Sequence, residues 1–193
     1  MGSIIARYKG EILQGKDDAY LTLLRSITGQ QISVKAADSI WARLEAACGG
    51  KVNLTRMKKL NADTLRSLGY SHQKCAYLAD ITQFFSTHKH LERDWAEMTD
   101  EEVIRDLIQI KGIGRWTAEM FLIFNLLRPD VLPVGDLGVV KGFQKLYGHQ
   151  WKTDGNLKLW QKRLTKHAAR WAPYRTVAVW YLWRSLDPVE VGY

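Results

Sequence analysis

Apolar residues recur at intervals of three and four along nearly the whole chain, and no stretch demands the apolar–polar alternation of a half-buried strand. Such spacing lines hydrophobic side chains along one face of a helix, and they are shielded by packing helix on helix. The punctuation agrees. Asp17 or Asp18 can cap a helix running to about Thr28, with Leu21, Leu24 and Ile27 on one face and Gly29 as the stop. Ser33 can cap a second, whose stripe is Ala37, Ile40, Trp41, Leu44 and Cys48 before Gly49-Gly50. A short helix near residues 61–68 stops at Gly69, and Ser71 caps a longer one carrying Leu78, Ile81 and Phe85. Thr99 and Glu102 form a capping box ahead of Val103, Ile104, Leu107 and Ile108. Further helices are predicted near 114–127, 137–147, 156–171 and 173–186, the last opening on Pro173, which suits a first turn. The fold class is all-α, with about ten short helices.

The chain has 193 residues, 46% of them hydrophobic and 25% charged, which permits a packed core and excludes a disordered or fibrous chain. Lys and Arg outnumber Asp and Glu, 28 to 20, leaving a net charge of +8 that favours a polyanionic partner. Two cysteines, Cys48 and Cys75, are too few for a disulfide framework or a four-cysteine metal site. Among five histidines only His88-x-His90 is a close pair, and no Cys or carboxylate set nearby completes a metal site, so both read as surface residues. No signal peptide is found and no apolar run approaches membrane-spanning length. The expectation is an intracellular protein without membrane contact, and nothing argues against a monomer.

Residues 108–124 read "IQIKGIGRWTAEMFLIF": a helix end, a turn at Gly112-Ile113-Gly114, and a new apolar helix. Glycines permit a sharp turn and close approach of another backbone. The N–H groups opening the second helix lack internal partners, and the helix dipole favours an anion there. A DNA phosphate fits such a place without any base being read, and Lys111 and Arg115 would add to the attraction. The plain alternative is a glycine-rich connector with two solvated cations. Gln30-Gln31-Ile32-Ser33, between two helices, could enter a DNA groove or could be an ordinary loop in which Ser33 caps. Asp136 stands where a helix should begin; it is either a cap or an anion placed for chemistry. Eight tryptophans exceed ordinary need; most must be core, while one or two could wall a pocket for a flat base.

Taken together, "SITGQQISVKAADSIWARL", "LGYSHQKCAYLADI", "IKGIGRWTAEMFLIF", "LPVGDLGVVKGF" and "RWAPYRTVAVWYLW", in this order, resemble the helix-hairpin-helix DNA glycosylases, and among them the 3-methyladenine DNA glycosylase II (AlkA-like) branch. The resemblance implies a single helical domain over residues 1–193. It would be built from two lobes, roughly 30–130 with the hairpin and 1–29 plus 131–193, with an active-site cleft between them. It implies a catalytic aspartate at Asp136 and a base pocket at Trp116, Met120, Leu137 and Trp183. DNA contacts would come from Gln30, Gln31, Ile32, Ser33, Lys111, Gly112, Ile113, Gly114, Arg115 and Thr117, with Gln31 as the wedge and Ile32 second. Family hairpins often hold Na⁺ or K⁺ on backbone carbonyls, here those of Ile108, Ile110 and Ile113; no other cofactor is implied.

The departures are informative. Relatives that also cut the backbone carry a lysine where this chain has Trp116, so the resemblance implies a monofunctional enzyme without lyase activity. Iron–sulfur members need four cysteines near the C-terminus, and none follows Cys75. The "TGQQ" loop begins at residue 28, which implies the form without an N-terminal β-rich domain. The proline usual in the hairpin is Lys111, and Gly135 replaces a second acid before Asp136. The expected activity is release of alkylated purines such as 3-methyladenine and 7-methylguanine from double-stranded DNA, by hydrolysis of the N-glycosidic bond. Hypoxanthine or ethenoadenine as the main substrate, or a non-catalytic DNA-binding module, are the competing readings.

Overall fold

A computed structural model describes residues 1–16, 18–88, 91–150 and 156–186. Among these, twelve α-helices and two 3₁₀ turns are found, and no strand. In order they are α1 Gly2–Arg7, α2 Ala19–Gly29, α3 Val34–Ala47, α4 Leu54–Met57, α5 Ala62–Ser67, α6 His72–Thr87, α7 Leu91–Glu97, α8 Asp100–Leu107, α9 Arg115–Phe124, α10 Leu137–Tyr147, α11 Leu157–Ala168 and α12 Arg175–Leu186. The sequence signals missed α1, α4 and α7, which are one or two turns long and too short for periodicity to register.

Most starts fall where the capping residues put them. Side chains of Asp18, Ser33, Asn61, Ser71, Thr99, Asp136 and Asn156 each accept an N–H from the first turn of the helix that follows. Asp17, the alternative cap, and His90 lie outside the described residues. Four details differ from expectation. Leu23, not Leu21, joins Tyr20, Leu24 and Ile27 on the buried face of α2. Ile108 is exposed, because α8 ends at Leu107 and the capping residue leaves the stripe. α9 stops at Phe124; Leu127 takes φ 51 and Arg128 N–H reaches back to the Leu122 carbonyl. α12 begins at Arg175, past a cis Ala172–Pro173 bond.

The chain divides into two compact units. One is Lys16–Phe121; the other is Met1–Gly15 with the described residues from Leu122 onward. The first boundary precedes α2 instead of following it, because the buried face of α2 packs on α6 and α3. The core of this unit includes an aromatic chain from Tyr20 through Phe85 and Trp95 to Phe121, with neighbouring ring centroids 5.2–6.0 Å apart.

The other unit is organised by α10 on α12. These helices meet backbone to backbone at Gly142, where an added Cβ would lie 2.4 Å from the Leu182 carbonyl oxygen. Around Phe143 gather Tyr147, Trp160, His167 and Trp171, with centroids 5.2–6.4 Å from it. Gly142→Ala should destabilise by about 1–3 kcal/mol through overpacking, read as a lower urea midpoint. Gly148→Ala, whose Cβ would meet only Trp160 at 3.8 Å, is the near-neutral control.

Burial, aided by the charge of Arg170, pushes the His167 pKa below 6.5. Above that value the ring is neutral in folded and unfolded chains alike. As pH falls through it, the unfolded chain takes up a proton that the folded ring resists, so stability should decline on the acid side. His167→Phe should flatten that acid-side loss in denaturation midpoints measured between about pH 7.5 and 5.

Candidate functional site

In the Lys16–Phe121 unit the hairpin is a four-residue turn over 110–113. Ile113 N–H donates to the Ile110 carbonyl at 3.1 Å, and Gly112 stands third in the turn at φ 86. That is the pattern of a type II turn, which needs φ > 0 at this position. Glycine is required here for a second reason: a Cβ would sit 2.3 Å from the Tyr77 ring. Two side chains complete the seat. Asp80 Oδ2 accepts Lys111 N–H at 2.8 Å, and the Gln30 amide donates to the Gly112 carbonyl at 3.1 Å. The amides of Lys111 and Ile113 are therefore engaged within the protein. Helix geometry gives the first-turn N–H groups no carbonyl four residues back within the helix, and in α9 that turn is Arg115, Trp116 and Thr117.

The loop that carries Gln30 is equally built. Lys74 Nζ donates to the carbonyls of Thr28 and Gln30, each at 2.8 Å, and Thr28 Oγ1 pairs with the Tyr70 hydroxyl at 3.0 Å. Burial pushes the Tyr70 phenol up to about 12, so it stays protonated there. Gln31, exposed, is held at φ 60, a left-handed conformation that a non-glycine residue adopts only when its surroundings enforce it. Ile32 beside it is 38% exposed. Ser33 caps α3, so the loop both caps and projects.

Two expected contacts need correction. Thr117 is buried, and only its main chain lies on the open turn of α9. Arg115 is not a bare cation: its guanidinium pairs with Glu101 and with Glu119 Oε1 at 3.1 Å. The hydrogen bond from Arg115 holds the Glu101 carboxyl below its usual range. Exposed pairs of this kind contribute little, so an incoming phosphate could exchange with Glu101 at small cost.

Asp136 lies in the other unit, and one helix fixes the loop that delivers it. At the start of that loop Asp130 accepts Arg175 N–H at 3.0 Å and the Arg175 guanidinium at 2.7 Å on each carboxylate oxygen. That guanidinium holds the Asp130 carboxyl below its usual range. Thr176 Oγ1 donates to the Arg128 carbonyl at 2.6 Å and accepts Val131 N–H at 2.9 Å. At the end of the loop the Trp183 indole N–H donates to Asp136 Oδ1 at 3.0 Å. Thr176 and Trp183 are seven residues apart, on one face of α12. Oδ1 also accepts Val139 N–H at 2.7 Å, in the first turn of α10. Gly138 permits this closeness; a Cβ there would stand 3.0 Å from Oδ1 and 3.1 Å from the indole. Phe124 stacks on Trp183 with centroids 5.7 Å apart and ring planes 20° apart.

Trp183 is thus joined to Asp136, and Leu137 follows it with 56% exposure. Trp116, 37% exposed, and Met120, buried, belong to the hairpin's unit. Sequence reasoning overlooked Asp80, Tyr77, Lys74, Asp130, Arg175 and Phe124. Only Asp130, in a Pro-Asp loop, carried a local signal. Neutral carbonyls such as those of Ile108, Ile110 and Ile113 are hard oxygen donors suited to an alkali cation, and Ile110's keeps a second lone pair after accepting Ile113 N–H. Among the described residues no cluster of three His, Cys, Asp or Glu side chains could hold a metal, and no helix is long and apolar enough to cross a membrane.

Trp183→Phe keeps the ring and removes the donor to a buried carboxylate. It should destabilise by about 1–3 kcal/mol in urea unfolding, whereas Leu137→Ala, at an exposed position, should change stability little.

The chain is similar to known proteins in sequence and in fold. The family described as "HhH-GPD superfamily base excision DNA repair protein" matches residues 24–166. The chain is 34% identical over 190 residues to DNA-3-methyladenine glycosylase 1 of Schizosaccharomyces pombe, covering 94% of this chain and 78% of that protein. The crystal structure of DNA-3-methyladenine glycosidase from Bacillus halodurans superposes with a TM-score of 0.83 at 34% identity, covering 95% of this chain and 87% of that one. The S. pombe 3-methyladenine DNA glycosylase solved with abasic DNA matches with a TM-score of 0.74 at 32% identity, over 94% of this chain and 87% of its own.

Proposed function

Because the chain belongs to the HhH-GPD superfamily of base excision DNA repair proteins, we propose that it is a monofunctional glycosylase that hydrolyses the N-glycosidic bond of alkylated purines in double-stranded DNA. The observation that carries this reading is the Asp136 carboxylate, seated at the start of α10 between a helix amide and the Trp183 indole. Breaking the glycosidic bond places positive charge on the deoxyribose. A fixed carboxylate stabilises that charge and orients the attacking water without having to reorganise during the reaction, an effect often worth about 10²–10³ in rate.

A purine alkylated at N3 or N7 is cationic and leaves readily, so strong protonation of the base is unnecessary. An electron-rich indole such as Trp183, beside the Asp136 carboxylate, would attract such a cation by about 0.5–2 kcal/mol. Extruding the nucleotide costs a few kcal/mol. Main-chain donors in the first turn of α9 and the Gln31–Ile32 tip would offset it, the first by holding phosphate and the second by filling the vacated stack. Trp116 offers no amine for a Schiff base, so strand cleavage is not part of the proposal. A sodium or potassium ion on the carbonyls of Ile108, Ile110 and Ile113 would stiffen the turn.

The test is Asp136→Asn on duplexes containing 3-methyladenine or 7-methylguanine. It should bind DNA within about twofold of wild type yet lose at least about 10²-fold in single-turnover base release. Release at the wild-type rate would remove Asp136 from the chemistry. Strand breaks before alkali treatment would contradict the monofunctional reading.

A further inference from the structure

In a type II turn the second residue makes no hydrogen bond through its own nitrogen within the turn, and proline is favoured there. This chain places Lys111 at that position, so the turn carries an additional N–H, which needs an acceptor. Asp80, thirty-one residues earlier on α6, supplies it: Lys111 N–H donates to Asp80 Oδ2 at 2.8 Å. Asp80 does not stand alone. Lys74, Tyr77 and Asp80 follow one another at three-residue spacing along α6 and touch successive parts of one assembly. Lys74 holds the carbonyls of Thr28 and Gln30, the Tyr77 ring abuts Gly112, and Asp80 takes the Lys111 amide. Gln30 closes the circuit by donating to the Gly112 carbonyl.

We infer that Asp80 is a positioning residue for the DNA grip: its carboxylate oxygen takes the place of the missing proline constraint by fixing the Lys111 amide, and so sets the hairpin and the Gln31 tip in register. This rests on the proposed DNA-binding role of the hairpin. A carboxylate near a phosphate-binding turn opposes DNA electrostatically, so what the site uses is the acceptor oxygen and not the charge.

The variants separate the two. Asp80→Ala should weaken binding of a lesion-containing duplex about tenfold, the effect of losing one hydrogen bond to a charged acceptor. Single-turnover release at saturating protein should stay within about twofold, because the carboxylate at Asp136 is untouched. Asp80→Asn retains an acceptor oxygen and sheds the charge; it should bind as tightly as wild type or more tightly. In a Lys111→Pro background there is no N–H to satisfy, so Asp80→Ala should cost no further affinity. That background also decides the matter if Asp80→Ala alone is too unstable to assay.

Wild-type affinity in Asp80→Ala, an equal loss in Asp80→Asn, or an undiminished loss in the Lys111→Pro background would each overturn the inference. A wild-type protein that fails to bind duplex DNA at low salt would instead remove the grip itself.

Discussion

One carboxylate oxygen, Asp136 Oδ1, is gripped by donors from two helices, and the arrangement of its unit follows from that requirement. Val139 N–H comes from α10 and the indole N–H from α12. Both can reach it only if the helices approach as closely as Gly142 lets them, with Gly138 leaving room for the indole. The same face of α12 that ends at Trp183 begins at Thr176, which ties down the start of the loop. A buried acidic side chain is costly unless its hydrogen bonds are met. Here meeting them also orients the carboxylate, so stability and orientation come from the same contacts.

The Lys16–Phe121 unit solves a different problem. A glycine turn is conformationally loose, yet the proposed phosphate grip needs its donors in fixed places. The chain supplies rigidity from outside the turn: an aromatic ring against Gly112, an amide on its carbonyl and a carboxylate on the preceding N–H. Gln31 is held in a left-handed conformation by a loop whose carbonyls are clamped by Lys74. Strain maintained at an exposed tip suits a residue that acts on something outside the protein.

Much of this was legible in the sequence, and the reason is local. Caps and stripes depend on residues three or four apart, so Ser33, Ser71, Thr99 and Asp136 announced their helices. The glycine turn and the aspartate were visible as motifs. What could not be read depends on distant residues meeting. Asp80 and Lys111 are 31 positions apart, Gln30 and Gly112 are 82 apart, and Asp136 and Trp183 are 47 apart. No spacing rule links them. Arg115 looked like a free cation because its partner Glu101 sits on the preceding helix, doing duty in an acidic first turn. Thr117 looked available because burial is set by tertiary packing, which one-dimensional order does not show.

In the proposed chemistry the Asp136 carboxylate acts on positive charge at an extruded sugar. The most direct measurement of this is affinity for two duplexes, one with a cationic pyrrolidine in place of a single deoxyribose and one with the neutral tetrahydrofuran. The wild-type protein should prefer the cationic analogue by about 10²-fold or more, as expected for a mimic of the charged transition state. Equal affinity for the two would show that the carboxylate does not meet that charge.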